Sequence, residues 1–251
     1  MGAEGKEPAG GVAAVDRALG LLAAFDAAHP ALTLTELAAR AGLYKSTALR
    51  LARSLERAGL VLRTADGRFR LGAGILRLAT VYRQGHAAPE LILPQMRRLA
   101  DSLGESVGFY VPEGEGQRVC LYRINAERPV SYNIRQGDAV PLPLGSAGRV
   151  IVAFGGAEGA EGAGYDAIRA AHLCFTEGER LAELSSLSAP VFGPDGLIGA
   201  LTVGGPRSRV DGAFRDRAAP ELLGAALRAS RAAGGETAGL AAALAGWDAG
   251  G

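Results

Sequence analysis

The stretch from Leu34 to Leu71 restricts the fold most, because it strings several kinds of backbone signal in a fixed order. Leu34, Leu37 and Ala38 repeat at helical spacing and run into Ala41-Gly42-Leu43. A second helical run, from about Tyr44 to Ala58, carries Lys45, Ser46, Arg50, Arg53 and Arg57, and Gly59 closes it. Two short strand-like runs, Leu60 to Arg63 and Arg68 to Leu71, flank Asp66-Gly67, a dipeptide that suits the positive φ of a tight hairpin turn. Helix, turn, helix, hairpin is the plan of a winged helix-turn-helix.

The flanks agree with that plan. Val15, Leu19, Leu22 and Ala23 predict a first helix within Val12 to Ala27, stopped by His29-Pro30. Thr33-Leu-Thr-Glu36 is a capping-box pattern for the next helix, and Gly42 ends it. The third helix divides into two sides. Ala48, Leu51, Ala52 and Leu55 share one side and are expected to bury. Ser46, Arg50, Arg53 and Arg57 fall at i, i+4, i+7 and i+11, a single stripe. Lys45, Ser46 and Thr47 occupy its first turn, where backbone N–H groups and short polar side chains approach phosphates or base edges. Arg50 has the reach for a guanine edge, whereas Arg53 and Arg57 suit phosphate contacts. Arg63, Arg68 and Arg70 on the hairpin would lie over a DNA backbone or minor groove.

Charge supports the same reading. The net charge of +1 over 251 residues is unremarkable, but from Arg40 to Arg83 ten Lys or Arg face two acids. Residues 1–83 carry a net +5 and the remainder a net −4. A basic front and an acidic back suggest two tasks, with double-stranded DNA as the partner of the front.

Beyond Pro89 the pattern changes. Glu90 to Leu103 reads as an amphipathic helix. Ser106 to Val111, Val119 to Ile124 and Val130 to Ile134 read as strands, and Pro141 to Gly145 as extended chain. Ser146 is placed to cap a short helix through Ala153, and Thr176-Glu-Gly-Glu179 reads as a further helix start. Gly155 to Gly164 reads as a loop and Asp166 to Ala171 as a short helix. Leu187 to Phe192 and Leu197 to Val203 form a hairpin about Pro194-Asp195-Gly196, followed by a helix over Ala213 to Ala232. The fold class is therefore α+β. Its parts are a tail at 1–11, a winged helix-turn-helix at 12–74, a helical linker at 75–88, a second domain at 89–233 and a loose tail at 234–251.

Catalytic readings find little support. Gly72-Ala-Gly74 lacks the third glycine and βαβ setting of a dinucleotide fingerprint. Leu144 to Arg149 lacks the Lys-Ser/Thr of a phosphate loop. His29, His86 and His172 are isolated, and no Gly-x-Ser-x-Gly elbow occurs. No enzyme activity, metal or cofactor is expected. Cys120 and Cys174 show no CxxC spacing and fit a reducing cytoplasm as small buried hydrophobes. No signal pattern or membrane-length apolar run appears, so a cytoplasmic protein with no membrane partner is expected.

These pieces resemble the IclR family of bacterial transcription regulators over roughly Val12 to Ala233. The resemblance is carried by Val15-Asp-Arg-Ala-Leu-Gly-Leu-Leu22, Thr35 to Leu43, Lys45-Ser-Thr47 with Arg50-Leu51, and Phe69-Arg-Leu-Gly72. In the back half it rests on Leu144-Gly-Ser-Ala-Gly-Arg149, Ala189-Pro-Val-Phe192 with Gly196, and Gly204-Gly-Pro206. Tyr44 stands where the family usually has Pro, and Gly204 where many members have Ser. The resemblance implies a GAF-like effector domain, an antiparallel sheet flanked by helices, behind the DNA-binding domain. It also implies a homodimer, often pairing into a tetramer, that binds a palindromic operator, with repression as the default sign. The effector would be a small organic acid or aromatic compound. Position by position it implies an effector pocket of Ser146, Ala147, Thr176, Ser186, Thr202 and Gly204. Phe109, Tyr122 and Tyr132 are candidates for its apolar wall, with core packing as their other role. The implied DNA contacts are Lys45, Ser46, Thr47, Arg50, Arg53, Arg57 and Arg68. The alternative is a winged-helix protein whose back domain only oligomerises.

Overall fold

The computed structural model describes residues 11–86, 89–114, 116–127, 134–156 and 161–248. The chain divides into two compact units, Met1–Gln84 and Gly85–Gly251.

The first unit begins with α1 (Ala13–Ala23), shorter than expected at its C-terminal end, then α2 (Leu34–Arg40) and α3 (Lys45–Arg57). Thr33 and Glu36 form the capping box reciprocally: each reaches the other's backbone N–H. Such a box satisfies donors that a helix start otherwise leaves bare. Arg40 pins the end of α2 back onto α1 by donating to Ala24 O and Asp26 Oδ2, both at 2.8 Å. Leu21, Leu37, Ala48, Ala52 and Leu55 close the core between the three helices, sealed by Leu32, Val61 and Phe69. The wing is β1 (Val61–Arg63) paired antiparallel with β2 (Phe69–Leu71), Leu62 opposite Arg70.

Gly67 turns the wing with φ 83°. Gly72 answers a different need, since a Cβ there would lie 2.2 Å from Gly59 O. The Gly72-Ala-Gly74 segment is glycine-rich because it passes against the turn after α3. Then follows α4 (Ala73–His86).

The second unit opens with α5 (Pro89–Leu103), then β3 (Ser106–Glu113), β4 (Gln117–Ile124), β5 (Ala139–Pro141), α6 (Gly145–Phe154), α7 (Ala163–Ala171), β6 (Cys174–Glu177), β7 (Leu184–Gly193), β8 (Gly196–Pro206), α8 (Gly212–Ala232) and α9 (Ala238–Asp248). The described strands form one antiparallel sheet in the order β5-β4-β3-β8-β7-β6. Because side chains alternate across a strand, each strand feeds two cores. Val107, Phe109, Leu187, Ala189, Val191 and Leu201 pack against α5, α8 and α9. Tyr110, Cys120 and Ala200 pack on the other face with Val150, Ile151 and Ile168 of α6 and α7.

Several expectations are corrected. Ser146 does not cap α6: Leu144 is the N-cap residue, without a side-chain cap bond. Thr176-Glu-Gly-Glu179 starts no helix, since Cys174–Glu177 is strand β6 paired with β7. The strand neighbour supplies backbone partners that a local cap motif could not outweigh. Residues 234–248 are not a loose tail, because α9 buries Leu240 completely in the α5–α8 core, and 249–251 lie outside the described residues. The tail at 1–10, the strand at 130–133, Tyr132 and the loop residues 157–160 lie outside the described residues.

Candidate functional sites: a cationic helix and a hydroxyl-lined pocket

In the first unit, α3 presents its two sides as its spacing predicts, except that Leu51 on the apolar side is only half-buried. Ala48 and Ala52 are fully buried and Leu55 nearly so. Lys45, Ser46, Arg50, Arg53 and Arg57 are exposed, and Thr47 is half-buried. Among the described residues, Lys45, Arg50 and Arg53 form no ion pair. Arg57 donates to Ser54 Oγ at 3.0 Å, and Arg68 on the wing lies 3.6 Å from Asp66 Oδ2. The cations of α3 are therefore not neutralised by carboxylates of their own unit. Tyr44 precedes them as the N-cap residue, 86% exposed. A tyrosine there accepts no cap hydrogen bond, which leaves the first N–H groups of α3 open to an outside acceptor.

In the second unit, the six positions Ser146, Ala147, Thr176, Ser186, Thr202 and Gly204 line one pocket. The sheet register explains three of them. Thr176, Ser186 and Gly204 lie opposite one another on β6, β7 and β8. Ser188 and Thr202 are paired in the next row on the same face. Hydroxyls link these rows to α6. Ser146 Oγ donates to Ser186 Oγ at 2.7 Å and also lies 2.7 Å from Ser188 Oγ. Ser188 Oγ is 2.8 Å from Thr202 Oγ1, and Thr176 Oγ1 is 3.3 Å from Ser186 Oγ. Hydroxyls both donate and accept, so such a chain can reorient to meet either kind of ligand group.

The pocket's electrostatics come from residues that spacing does not reveal. Arg118, only 3% exposed, lines it, donates to Pro141 O at 2.7 Å, and lies 5.6 Å from the centre of the Tyr110 ring. Glu179 sits at its rim. Its Oε2 accepts from Gly145 N and Arg149 Nε, each at 3.0 Å, and its Oε1 lies 2.5 Å from Arg149 Nη2. Those bonds raise the pKa of the Arg149 guanidinium above its ordinary value. The cavity volume is about 30 Å³, room for about one water molecule.

The aromatic wall differs from expectation. Tyr110 lines the pocket, whereas Phe109 and Tyr122 stack 6.4 Å apart in the opposite core. One position along β3 changes the face, and the even-odd alternation of Phe109 and Tyr110 was the signal that could have distinguished them. Ser188 was also missed, though it repeats Ser186 at strand spacing.

Cys120 and Cys174 are buried, and burial pushes their thiols up to about 11 and about 12, which leaves them protonated and unreactive near neutrality. Among the described residues no group of three or more His, Cys, Asp or Glu could hold a metal ion. No described helix is long and apolar enough to cross a membrane.

Residues 14–65 match the IclR helix-turn-helix domain. The first unit therefore contains an IclR-type helix-turn-helix domain. The IclR match runs from α1 through β1, the first strand of the wing, and includes all of α3. Among curated relatives, the glycerol operon regulatory protein of Streptomyces coelicolor is 32% identical over 57% of this chain and 56% of its own length. TtgV, a transcriptional regulator of Pseudomonas putida, is 33% identical over 58% of this chain and 55% of its own. The chain thus spans about half the length of the curated relatives it matches. Structural likeness extends further. An IclR regulator from a Silicibacter species superposes with a TM-score of 0.76 at 25% identity, covering 89% of this chain and 97% of that one. An IclR homolog from Microbacterium hydrocarbonoxydans, solved with 4-hydroxybenzoate, shares the fold at TM-score 0.70 and 22% identity, covering 87% and 99%.

Proposed function

We propose that this chain is an IclR-family, ligand-responsive transcription regulator that binds a palindromic operator, with repression as its default action. The observation that carries the proposal is the outer face of α3, where Lys45, Ser46, Arg50 and Arg53 are exposed while the apolar side is buried. A helix so presented enters a major groove with its N-terminal turn, and its cations meet phosphates and base edges. Lys45, Ser46, Thr47 and Arg50 form the leading contacts, Arg53, Arg57 and wing Arg68 the flanking ones.

A palindrome calls for a two-fold partner. Val12, Val15 and Leu19 lie at i, i+3 and i+7 along the start of α1 and are 66%, 53% and 56% exposed. Leu76, Leu78 and Val81 of α4 are 64%, 56% and 64% exposed. Apolar faces of this kind favour burial against a second copy, which supports a homodimer that pairs further into a tetramer.

The second unit takes a small organic acid or aromatic effector in the pocket of Ser146, Ala147, Thr176, Ser186, Thr202 and Gly204. To act, the effector must bind one arrangement of the dimer better than the other. The curated relatives are named as regulators, and one protein of this fold holds 4-hydroxybenzoate. A second reading, a back domain that only oligomerises, draws on the small volume of the pocket.

Titration of the chain with fluorescent fragments of the promoter beside its own gene tests the first reading. Association is expected to weaken steeply and linearly in log–log form as salt rises. Salt-insensitive or absent binding overturns it. A thermal-shift screen against organic acids and aromatics separates an effector domain from a purely oligomerising one.

A further inference from the structure

Glu179 holds a position that a ligand's carboxylate would otherwise suit. Its Oε2 accepts hydrogen bonds from the Gly145 N–H at the start of α6 and from Arg149 Nε, both at 3.0 Å, and Oε1 lies 2.5 Å from Arg149 Nη2. The site lies on the wall of the pocket that also carries Ser146, Ser186 and Thr176. The cavity left beside it, about 30 Å³, is about the space of one water molecule. A ligand carboxylate reaches the Gly145 N–H and Arg149 only if Glu179 leaves them.

The walls are unequal. α6, β6, β7 and β8 are regular elements tied into the sheet and its cores. Residues 178–183, which carry Glu179, belong to no helix or strand. They are closed at their ends by Gly178 N to Leu184 O at 2.7 Å and Leu184 N to Leu181 O at 3.0 Å, and Leu181 is 53% exposed. The Glu179 and Arg149 side chains retain 27% and 39% exposure, and ion pairs that open to water exchange partners at little cost.

Resting on the effector reading above, we infer that Glu179 is a chain-borne stand-in for the effector's carboxylate: the ligand binds by displacing it, and the 178–183 loop swings away. The exchange preserves charge. One carboxylate leaves the Gly145 N–H and Arg149 for water, and another replaces it with its body directed toward the Ser and Thr hydroxyls. A neutral ligand offers no such exchange. The inference assigns a carboxylate as the required part of the effector, and Glu179 as the group that sets its affinity.

The test uses the full chain and acetate as the probe, titrated by thermal shift against chloride at constant ionic strength. Glu179→Gln keeps the side chain's shape but removes the competing charge. Its apparent affinity for acetate is expected to exceed that of the unaltered chain at least tenfold. Equal or weaker binding by the variant overturns the inference. Should Glu179→Gln fail to fold, hydrogen exchange of the unaltered chain decides: acetate is expected to speed exchange across 178–183, and an unchanged or slowed rate overturns it. Promoter binding is read in parallel. If it persists while acetate fails, only this inference falls; if promoter binding is absent, the regulator reading falls with it.

Discussion

Ser146 Oγ lies 2.7 Å from Ser188 Oγ and thereby ties the first turn of α6 to the middle of β7. Both residues are fully buried. A bulky residue at position 146 would find no free space there. Smaller changes are informative instead. Ser188→Ala leaves Ser146 and Thr202 short of a partner, and should cost about 1–3 kcal/mol of unfolding free energy. The urea midpoint measures it. Adding Thr202→Val should cost less than the sum of the two single changes, because one unpaired hydroxyl is removed with its partner. An unaltered midpoint in the single variant would deny the hydroxyl chain a structural part.

Arg50→Ala is expected to weaken operator binding by about 1–3 kcal/mol while changing binding to random DNA much less. Arg53→Ala and Arg57→Ala are expected to weaken both alike and to reduce the salt slope. Anisotropy titrations with operator and scrambled duplexes measure the contrast. Equal losses for Arg50→Ala on both duplexes would make it a phosphate contact.

Leu240 is the buried anchor of α9. Leu240→Ala should destabilise the second unit by about 2–5 kcal/mol, the range for a buried leucine truncated in a packed core. Chemical denaturation with Trp247, half-buried in the same contact, as the fluorophore gives the measurement. A loss under about 0.5 kcal/mol, the scale of an ordinary surface change, would mean α9 adds nothing.

His172 packs its ring against Phe154 and Phe192, 5.0 and 6.1 Å between centroids, and this burial lowers its pKa from the ordinary 6.5, with Glu236 nearby opposing the shift. The unfolded chain therefore takes up the proton first as pH falls. Stability is fully present above the ordinary value and declines as pH drops through it toward the lower folded value. His172→Phe should remove that part of the decline. Denaturant midpoints at pH 7.5 and 5 for both proteins measure it, and identical pH dependence would exclude His172 as its source.

The first unit was legible because its determinants are local. Thr33 and Glu36 lie three positions apart, Gly42 and Gly67 answer to their own φ, and the two sides of α3 follow from helical pitch. Positions in the pocket were legible only by resemblance. The contacts that join them span 40 positions from Ser146 to Ser186 and 34 from Gly145 to Glu179, and no spacing rule reaches that far. α9 was readable in principle, since Leu240, Ala243, Leu244 and Trp247 recur at i, i+3, i+4 and i+7, but alanine and glycine at the intervening positions blur the contrast between faces.

Local chemistry settled where α2 begins, where α2 and α3 end, which side of α3 is charged, and that front and back carry opposite net charge, because each is written in the nearby sequence. Strand pairing decided the rest. It made Thr176 part of a strand rather than a cap, set Tyr110 toward the pocket and Phe109 away from it, and brought the Glu179 carboxylate onto Arg149. Register and sheet order fix those outcomes, and both arise from burying two faces of one sheet at once.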